Sequence, residues 1–305
     1  MAEIASWTVQ HGRYTEIPVL DKPLGRQRLT DSRSAAYRYR AAAARRVIKD
    51  TEWPRHAPIL DQGNIGSCEG NAELGCAASG PVWEALSKAQ RAIVAKGEPT
   101  ALAWYARATA LDGYPGVFTY PPPGGEDTGT DSTSVSKAAA EAGFIGGYLH
   151  AGTLADTLDA LMAGPVNLGI NWYESFDDPA ADGLVAIAPS AVIRGGHALC
   201  ARKVEATKAR VWLDNSWTAD WGVYGRCCMA FDTLDRLLAE DGECVVPVPL
   251  SAPAPQPQPV PGDPVGAYLA NVRLGRWAGA RHVLENAYAA QCYRDLRAAV
   301  KAAAL

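Results

Sequence analysis

The chain has 305 residues, 48% apolar and 20% charged, with a formal net charge of -4. That balance suits a soluble globular protein of one large domain or two small ones. No stretch approaches the ~18 consecutive apolar residues of a membrane span, and the N-terminus MAEIASWTVQHGRY lacks the basic-then-apolar run of a secretory signal. Charge is unevenly spread: residues 1–50 carry 10 Lys/Arg against 5 Asp/Glu, residues 51–264 carry 13 against 26, and residues 265–305 carry 6 against 2. An acidic middle is therefore flanked by basic ends, which suits docking to an acidic protein partner or folding back on the middle. No nucleic-acid partner is expected. The seven cysteines are irregularly spaced and form no C-x-x-C pairs, so no structural zinc or other metal is expected, and a reducing, cytoplasmic place of synthesis is.

In chain order, residues 1–50 read as a basic arm, with Ser34 to Lys49 rich in Ala and Arg and able to form one helix. Residues 51–246 read as the folded core. A turn-rich approach, Pro58 to Gly66, enters a helix-compatible stretch at Cys68. Further helices are predicted over Val82–Ala95 and Ala101–Leu111. A Gly/Pro-rich loop from Gly113 to Thr130 follows, in which Glu126 and Asp127 are expected to be solvated. Asp131, Ser132 and Thr133 then offer N-cap side chains to a short helix ending at Gly143, and Leu154–Ala163 predicts another. Beyond it the period changes. Val166–Trp172, His197–Val204 and Arg210–Leu213 are short apolar runs between turn residues, which suits strands. Helices first and strands after give an α+β layout. From Val245 to Pro264 eight prolines predict a semi-rigid spacer unable to join a sheet, so residues 247–264 read as a linker. Residues 265–305 read as a helical extension that docks on the core, self-associates or binds a protein partner.

Two segments carry chemistry: PILDQGNIGSCEGN, Pro58 to Asn71, and Gly195 to Cys228. A reactive thiol must become a thiolate, which a helix N-terminus and a neighbouring imidazolium both favour. Cys68 follows a Gly66-Ser67 turn and precedes a helix, and Gln62 on the entering loop is placed to donate to a developing oxyanion. His197 opens a strand-like run after Gly195 and Gly196. Asn215, eighteen residues later, lies beyond a second strand, where its amide would orient the ring, with Trp217 shielding the pair from water. Asp214 is a neighbouring rival for that place, but adjacent strand residues point to opposite faces.

These elements resemble the papain-like (C1) peptidase family, particularly its compact bacterial and phage-type members. Gln62, Gly63, Gly66, Ser67 and Cys68 match its Q-G-x-x-G-S-C core. His197 follows at the family's separation, and Asn215, Ser216, Trp217, Trp221 and Gly222 match N-S-W-x-x-x-W-G. The resemblance covers about Trp53 to Glu240. It implies two lobes, one helical with Cys68 and one strand-rich with His197 and Asn215, and peptide-bond cleavage through an acyl-enzyme without a cofactor. It makes Gly66, Ser67, Gly196 and Trp217 supporting residues. The substrate would be a polypeptide or a cell-wall peptide. Glu69 stands where many members have Trp and is expected to point along the helix start, where it suits the dipole. Thr218 replaces a common glycine. The inhibitory propeptide pattern of the family has no clear match in residues 1–50. Two other readings stay open: a catalytically weak structural or binding module of a larger assembly such as a phage particle, and transamidation.

Overall fold

The computed structural model describes residues 10–11, 14–15, 24–28, 34–39, 45–121 and 125–255. Residues 1–30 and 39–254 form one compact unit; residues 31–38 and 255–305 form a second, of which 34–38 and Pro255 are described, with a 3-10 turn at Ser34–Tyr37. The expected helical extension, 265–305, lies outside the described residues.

The main unit is α+β. Helices come first: α1 Cys68–Ala77, α2 Gly80–Ala85, α3 Lys88–Val94, α4 Glu98–Thr109 and α5 Ser132–Glu141. Strands β1 Gln10–His11 and β2 Tyr14–Thr15 pair with each other. The other eight form one sheet: β3 Thr51–Glu52, β4 Gly147–Ala151, β5 Val166–Tyr173, β6 Leu184–Val185, β7 Ile193–Glu205, β8 Arg210–Asp214, β9 Arg226–Ala230 and β10 Glu243–Val248. Its order is β4-β10-β5-β7-β8-β9-β6, with β3 added to β7. Helices α6 Leu154–Leu161 and α7 Phe231–Ala239 complete the unit.

Every residue of α1 is buried, which its small residues allow. A Cβ on Gly70 would stand 2.4 Å from the Ala101 carbonyl of α4, and one on Gly75 would stand 2.8 Å from Cys200 Cβ of β7. The helix is therefore clasped between α4 and the sheet. One apolar cluster lies on the sheet side, built from residues such as Leu168, Trp172, Leu199 and Leu213. Another lies on the helical side, around Leu74, Val82, Trp104 and Val135. A third, small one joins Cys68 and Ala72 of α1 to Ala198 of β7. Burial of this kind stabilises at roughly 25 cal/mol per Å² of apolar surface.

Three local expectations are corrected. The helix read over Val82–Ala95 is two, because Leu86 is extended and Ser87 starts α3 with a capping box to Gln90. Among the described residues of the stretch Ser34 to Lys49, only Ser34–Tyr37 are helical, as a 3-10 turn. Residues 45–50 are irregular, and their side chains are drawn to acidic partners: Arg45 to Asp156 at 2.8 Å and Arg46 to Asp159 at 2.8 Å. The proline-rich run does enter the sheet as β10. Its residue Glu243 pairs with β5, Cys244 and Val245 pair with both β5 and β4, and Val246, Pro247 and Val248 have only β4 beside them. Pro247 thus sits where the strand has become an edge, the place where a missing N–H is tolerated.

Candidate active site

Two carboxylates on one face of α1 set the electrostatics of the region. Glu69 accepts Ser132 Oγ at 2.9 Å and Asn167 Nδ2 at 3.1 Å. Glu73 accepts Ser136 Oγ at 3.1 Å and Asn167 Nδ2 at 3.2 Å. Both are fully buried. Glu69 therefore does not merely line the helix start; its side chain is packed between α5 and β5. Burial raises the Glu69 carboxyl well above its usual range, opposed first by the Arg26 guanidinium. Burial raises Glu73 to about 7, opposed by its bonds from Asn167 and Ser136. In the unfolded chain Glu73 ionises near its usual 4.5, so its penalty is absent below that pH, grows as pH rises, and is complete above about 7. Glu73→Gln is therefore expected to gain about 3 kcal/mol relative to the unsubstituted chain between pH 4.5 and 8. Urea unfolding of both proteins across that range measures the difference; parallel stability curves would show that Glu73 does not carry it.

The entering loop turns at Gly63, which has φ +57° and donates to Asp61 Oδ1 at 3.0 Å. The Gln62 amide is fixed at both ends: Ser216 Oγ donates to its oxygen at 2.6 Å, and its nitrogen donates to the Ile65 carbonyl at 2.8 Å. Gly66 N–H donates to Asp127 Oδ2 at 2.8 Å, and the Tyr105 hydroxyl donates to the other oxygen of Asp127. Asp127 is thus a strut of the loop before Cys68, where the sequence suggested a solvated acid. Ser67 is the N-cap residue of α1; its hydroxyl accepts from Asn71 Nδ2 at 3.2 Å.

Cys68 is the first residue of α1 and is fully buried. Burial pushes its thiol up, Glu69 adds to the push, and backbone hydrogen bonds from Ala198 and Glu69 oppose it. His197 lies on β7 next to Ala198. Its Nε2 meets Asn215 Oδ1 at 2.7 Å, so Nε2 carries the proton and Nδ1 the lone pair. Nδ1 is buried with no hydrogen-bond partner among the described residues. Asn215 Oδ1 also accepts the Ser216 N–H at 2.8 Å. The His197 ring stacks on Trp217 at 4.7 Å and meets the edge of Trp172 at 4.9 Å. Burial lowers the imidazole to about 3, against the hydrogen bond to Asn215 that raises it. Burial thus favours the neutral form of both the Cys68 thiol and the His197 imidazole. Asp214 points away from this pair, to Arg55 at 3.1 Å and Arg202 at 2.7 Å. Thr218 sits in the left-handed region, φ +66°, a conformation that favours glycine.

A further element was not visible in the sequence. Residues Leu24 to Arg28 run between the two sides of the site. Gly25 N–H and Arg26 N–H reach the Gly196 carbonyl at 3.3 and 3.0 Å. Gln27 N–H donates to the Thr130 carbonyl at 2.7 Å, and Thr130 N–H to the Gly25 carbonyl at 2.9 Å. Gly25 lies so close to Gly66 that a Cβ on it would stand 2.0 Å from the Gly66 carbonyl. Trp172 was likewise read only as a strand residue. Neither carries a local signal, because each becomes part of the site through contacts distant in sequence.

No family model matches the chain, and no curated protein matches it in sequence. Among solved structures it is similar to xylellain, a cysteine protease from Xylella fastidiosa, with 17% identity and a TM-score of 0.56 over 80% of this chain and 100% of that one. The chain has the papain-like fold. A digestive procathepsin L2 from Tenebrio molitor larval midgut is also similar, with 16% identity and a TM-score of 0.49 over 74% of this chain and 78% of that one. The bromelain protease of Ananas comosus, in complex with the E64 inhibitor, has 17% identity and a TM-score of 0.39 over 63% and 93%. On the papain-like fold, α1 and β7 form the junction of the helical and sheet sides, and Cys68 and His197 stand on those two elements. No described helix is long and apolar enough to cross a membrane.

Proposed function

We propose that the chain is a thiol-dependent peptidase in which Cys68 is the nucleophile, His197 the base, Asn215 the positioning residue and Gln62 an oxyanion donor. The observation that carries this reading is the His197 ring. Its Nε2 is committed to Asn215 at 2.7 Å, and its Nδ1 lone pair is buried with no hydrogen-bond partner among the described residues at the α1–β7 junction where Cys68 packs against Ala198. In this reaction the Cys68 proton passes to His197 Nδ1 and Sγ attacks the peptide carbonyl. The oxyanion is held by the Cys68 N–H and the second N–H of the Gln62 amide, whose orientation Ser216 and Ile65 fix. His197 then protonates the leaving amine, and water, activated by the same ring, hydrolyses the thioester to acid and free thiol.

The complete burial of Cys68 and His197 favours a second reading, a binding module with a silent site. Incubating the full chain, its Arg26→Ala variant and a Cys68→Ala variant with a denatured polypeptide and with purified peptidoglycan separates these. New amino termini from either substrate that disappear in Cys68→Ala support the peptidase, and the cleaved substrate identifies its class. If none of the three proteins cuts either material, the silent module is the better account.

A further inference from the structure

The helix that carries Cys68 and the strand that carries His197 hold a second pair of thiols between them. Cys76 lies about two turns beyond Cys68 on α1, and Cys200 lies just beyond His197 on β7. Both side chains are buried, and their sulfurs stand 3.6 Å apart. Gly75 makes this approach possible. A Cβ there would stand 2.8 Å from Cys200 Cβ and 3.3 Å from its sulfur, so the backbone of α1 rests directly on that cysteine. The strand is held at the same point from both sides, opposite Asn167 of β5 and Asp214 of β8. A buried cysteine on its own fills space as a small apolar group. Two that meet across separate elements can also be joined. A disulfide needs about 2.05 Å between its sulfurs, so each sulfur has only about 0.8 Å to travel. Rotation of the two side chains supplies that.

From this geometry we infer that Cys76 and Cys200 are a site of covalent modification, a dithiol that a small-molecule disulfide converts to a bridge tying α1 to β7. The inference goes beyond the peptidase reading and does not depend on it. One cysteine, as thiolate, attacks a sulfur of the small disulfide and expels one thiolate, which leaves a mixed disulfide. The second cysteine, as thiolate, attacks the protein sulfur of that intermediate and expels the other. The two protons end on the two released thiols, so the protein is oxidised by two electrons and the small disulfide is reduced. Cys68 stays outside the bridge, because its side chain packs against Ala72 and Ala198. Burial, and then the bond with Cys200, raise the Cys76 thiol well above its usual range, with Arg55 opposing. Exchange needs both a thiolate and access. The bridge therefore forms while the junction is open or the chain is folding, and the closed core then shields it. Its two ends are 124 residues apart, and the stabilisation from cross-linking the unfolded chain grows with that length. In a reducing medium the same residues remain packed thiols.

The test unfolds the full-length chain with reductant present and refolds it in glutathione buffers set either oxidising, with glutathione disulfide, or reducing. Where refolding is poor, native protein held in urea just below its unfolding transition takes its place. Free thiols are blocked with N-ethylmaleimide, and digestion without reductant followed by mass spectrometry locates the bridge. The oxidised chain is expected to yield a linked pair of peptides containing Cys76 and Cys200, with Cys68 carrying the blocking group. It should melt roughly 10 °C above the reduced chain. Cys200→Ala and Cys76→Ser are each compared with themselves, oxidised against reduced, so that lost packing cancels. In both, the shift should shrink to within about 2 °C. Fully folded protein should close the bridge about tenfold or more slowly than protein opened by urea. Blocking groups on both Cys76 and Cys200 after oxidising refolding would overturn the pair, as would a bridge that takes in Cys68. A Cys76–Cys200 bridge that leaves the melting temperature unchanged, or lowers it, would overturn its role as a tie between the two elements. Equally fast closure in folded and opened protein would overturn the shielding.

Discussion

His197→Ala is expected to lower peptide hydrolysis about 10³- to 10⁴-fold at pH 7, while the protein remains folded. The size follows from the resting state. Burial pushes the Cys68 thiol up, so on the proposed peptidase reading the nucleophile forms when a base takes its proton in the reaction. The imidazole is pre-set for that step, because Asn215 fixes the Nε2–H tautomer and Trp217 and Trp172 pack against two sides of the ring. Burial biases the ring toward its neutral form, which leaves the Nδ1 lone pair free of a proton. The pH profile distinguishes this role from a packing role. Without the ring, residual hydrolysis should climb about tenfold per pH unit, because hydroxide must generate the thiolate; with the ring, the rate should level off. Asn215→Ala should give a smaller loss with the same change of profile in weaker form, since another group can partly orient the ring. A loss below tenfold in His197→Ala, with an unchanged pH profile, would remove His197 from the chemistry.

How far this was legible in the sequence depends on the range of the interactions involved. Cys68, His197 and Asn215 stand in short motifs whose local structure is encoded nearby: a Gly-Ser turn running into a helix, and apolar runs long enough to be strands. The capped helix α5 was readable because Asp131 caps it through its own side chain, at 2.9 Å from Ser134 N–H. What escaped was set by partners far along the chain. Pro247 joins a sheet only because β10 loses its β5 neighbour after Val245. Glu69 is buried because Ser132 and Asn167 are waiting for it. Arg26 had no motif; its meaning comes from Gly169 and Glu243, more than 140 residues away. Charge gave a coarse hint, since a basic N-terminal segment and an acidic middle were evident from composition, and the contact between Arg26 and Glu243 joins the two.

The other large effect concerns the residue beside Asn215. Asp214 is 4% exposed and lies between two arginines: Arg55 Nη1 at 3.1 Å and Arg202 Nε at 2.7 Å. Arg55 also donates to the Ala57 and Pro58 carbonyls, and Arg202 to the Trp53 carbonyl, so the three side chains tie the segment that enters the helical side to β7 and β8. Asp214→Ala leaves the Arg55 guanidinium without this carboxylate partner and Arg202 with only the partly exposed Glu52, at 3.2 Å. Breaking a buried pair in this way costs about 3–5 kcal/mol, which for a unit of this size lowers the melting temperature by roughly 10 °C. Asp214→Asn keeps an acceptor but loses the charge, and should fall between the two. Because Asp214 and Asn215 project to opposite faces of the same strand end, the stability loss should come without a change in the pH profile of Cys68 alkylation, measured below the melting temperature. Thermal unfolding of both variants checks the first statement and alkylation the second. A melting temperature within about 2 °C of the unsubstituted chain would mean that the backbone carbonyls and Glu52 satisfy the two arginines and that Asp214 adds little to the junction.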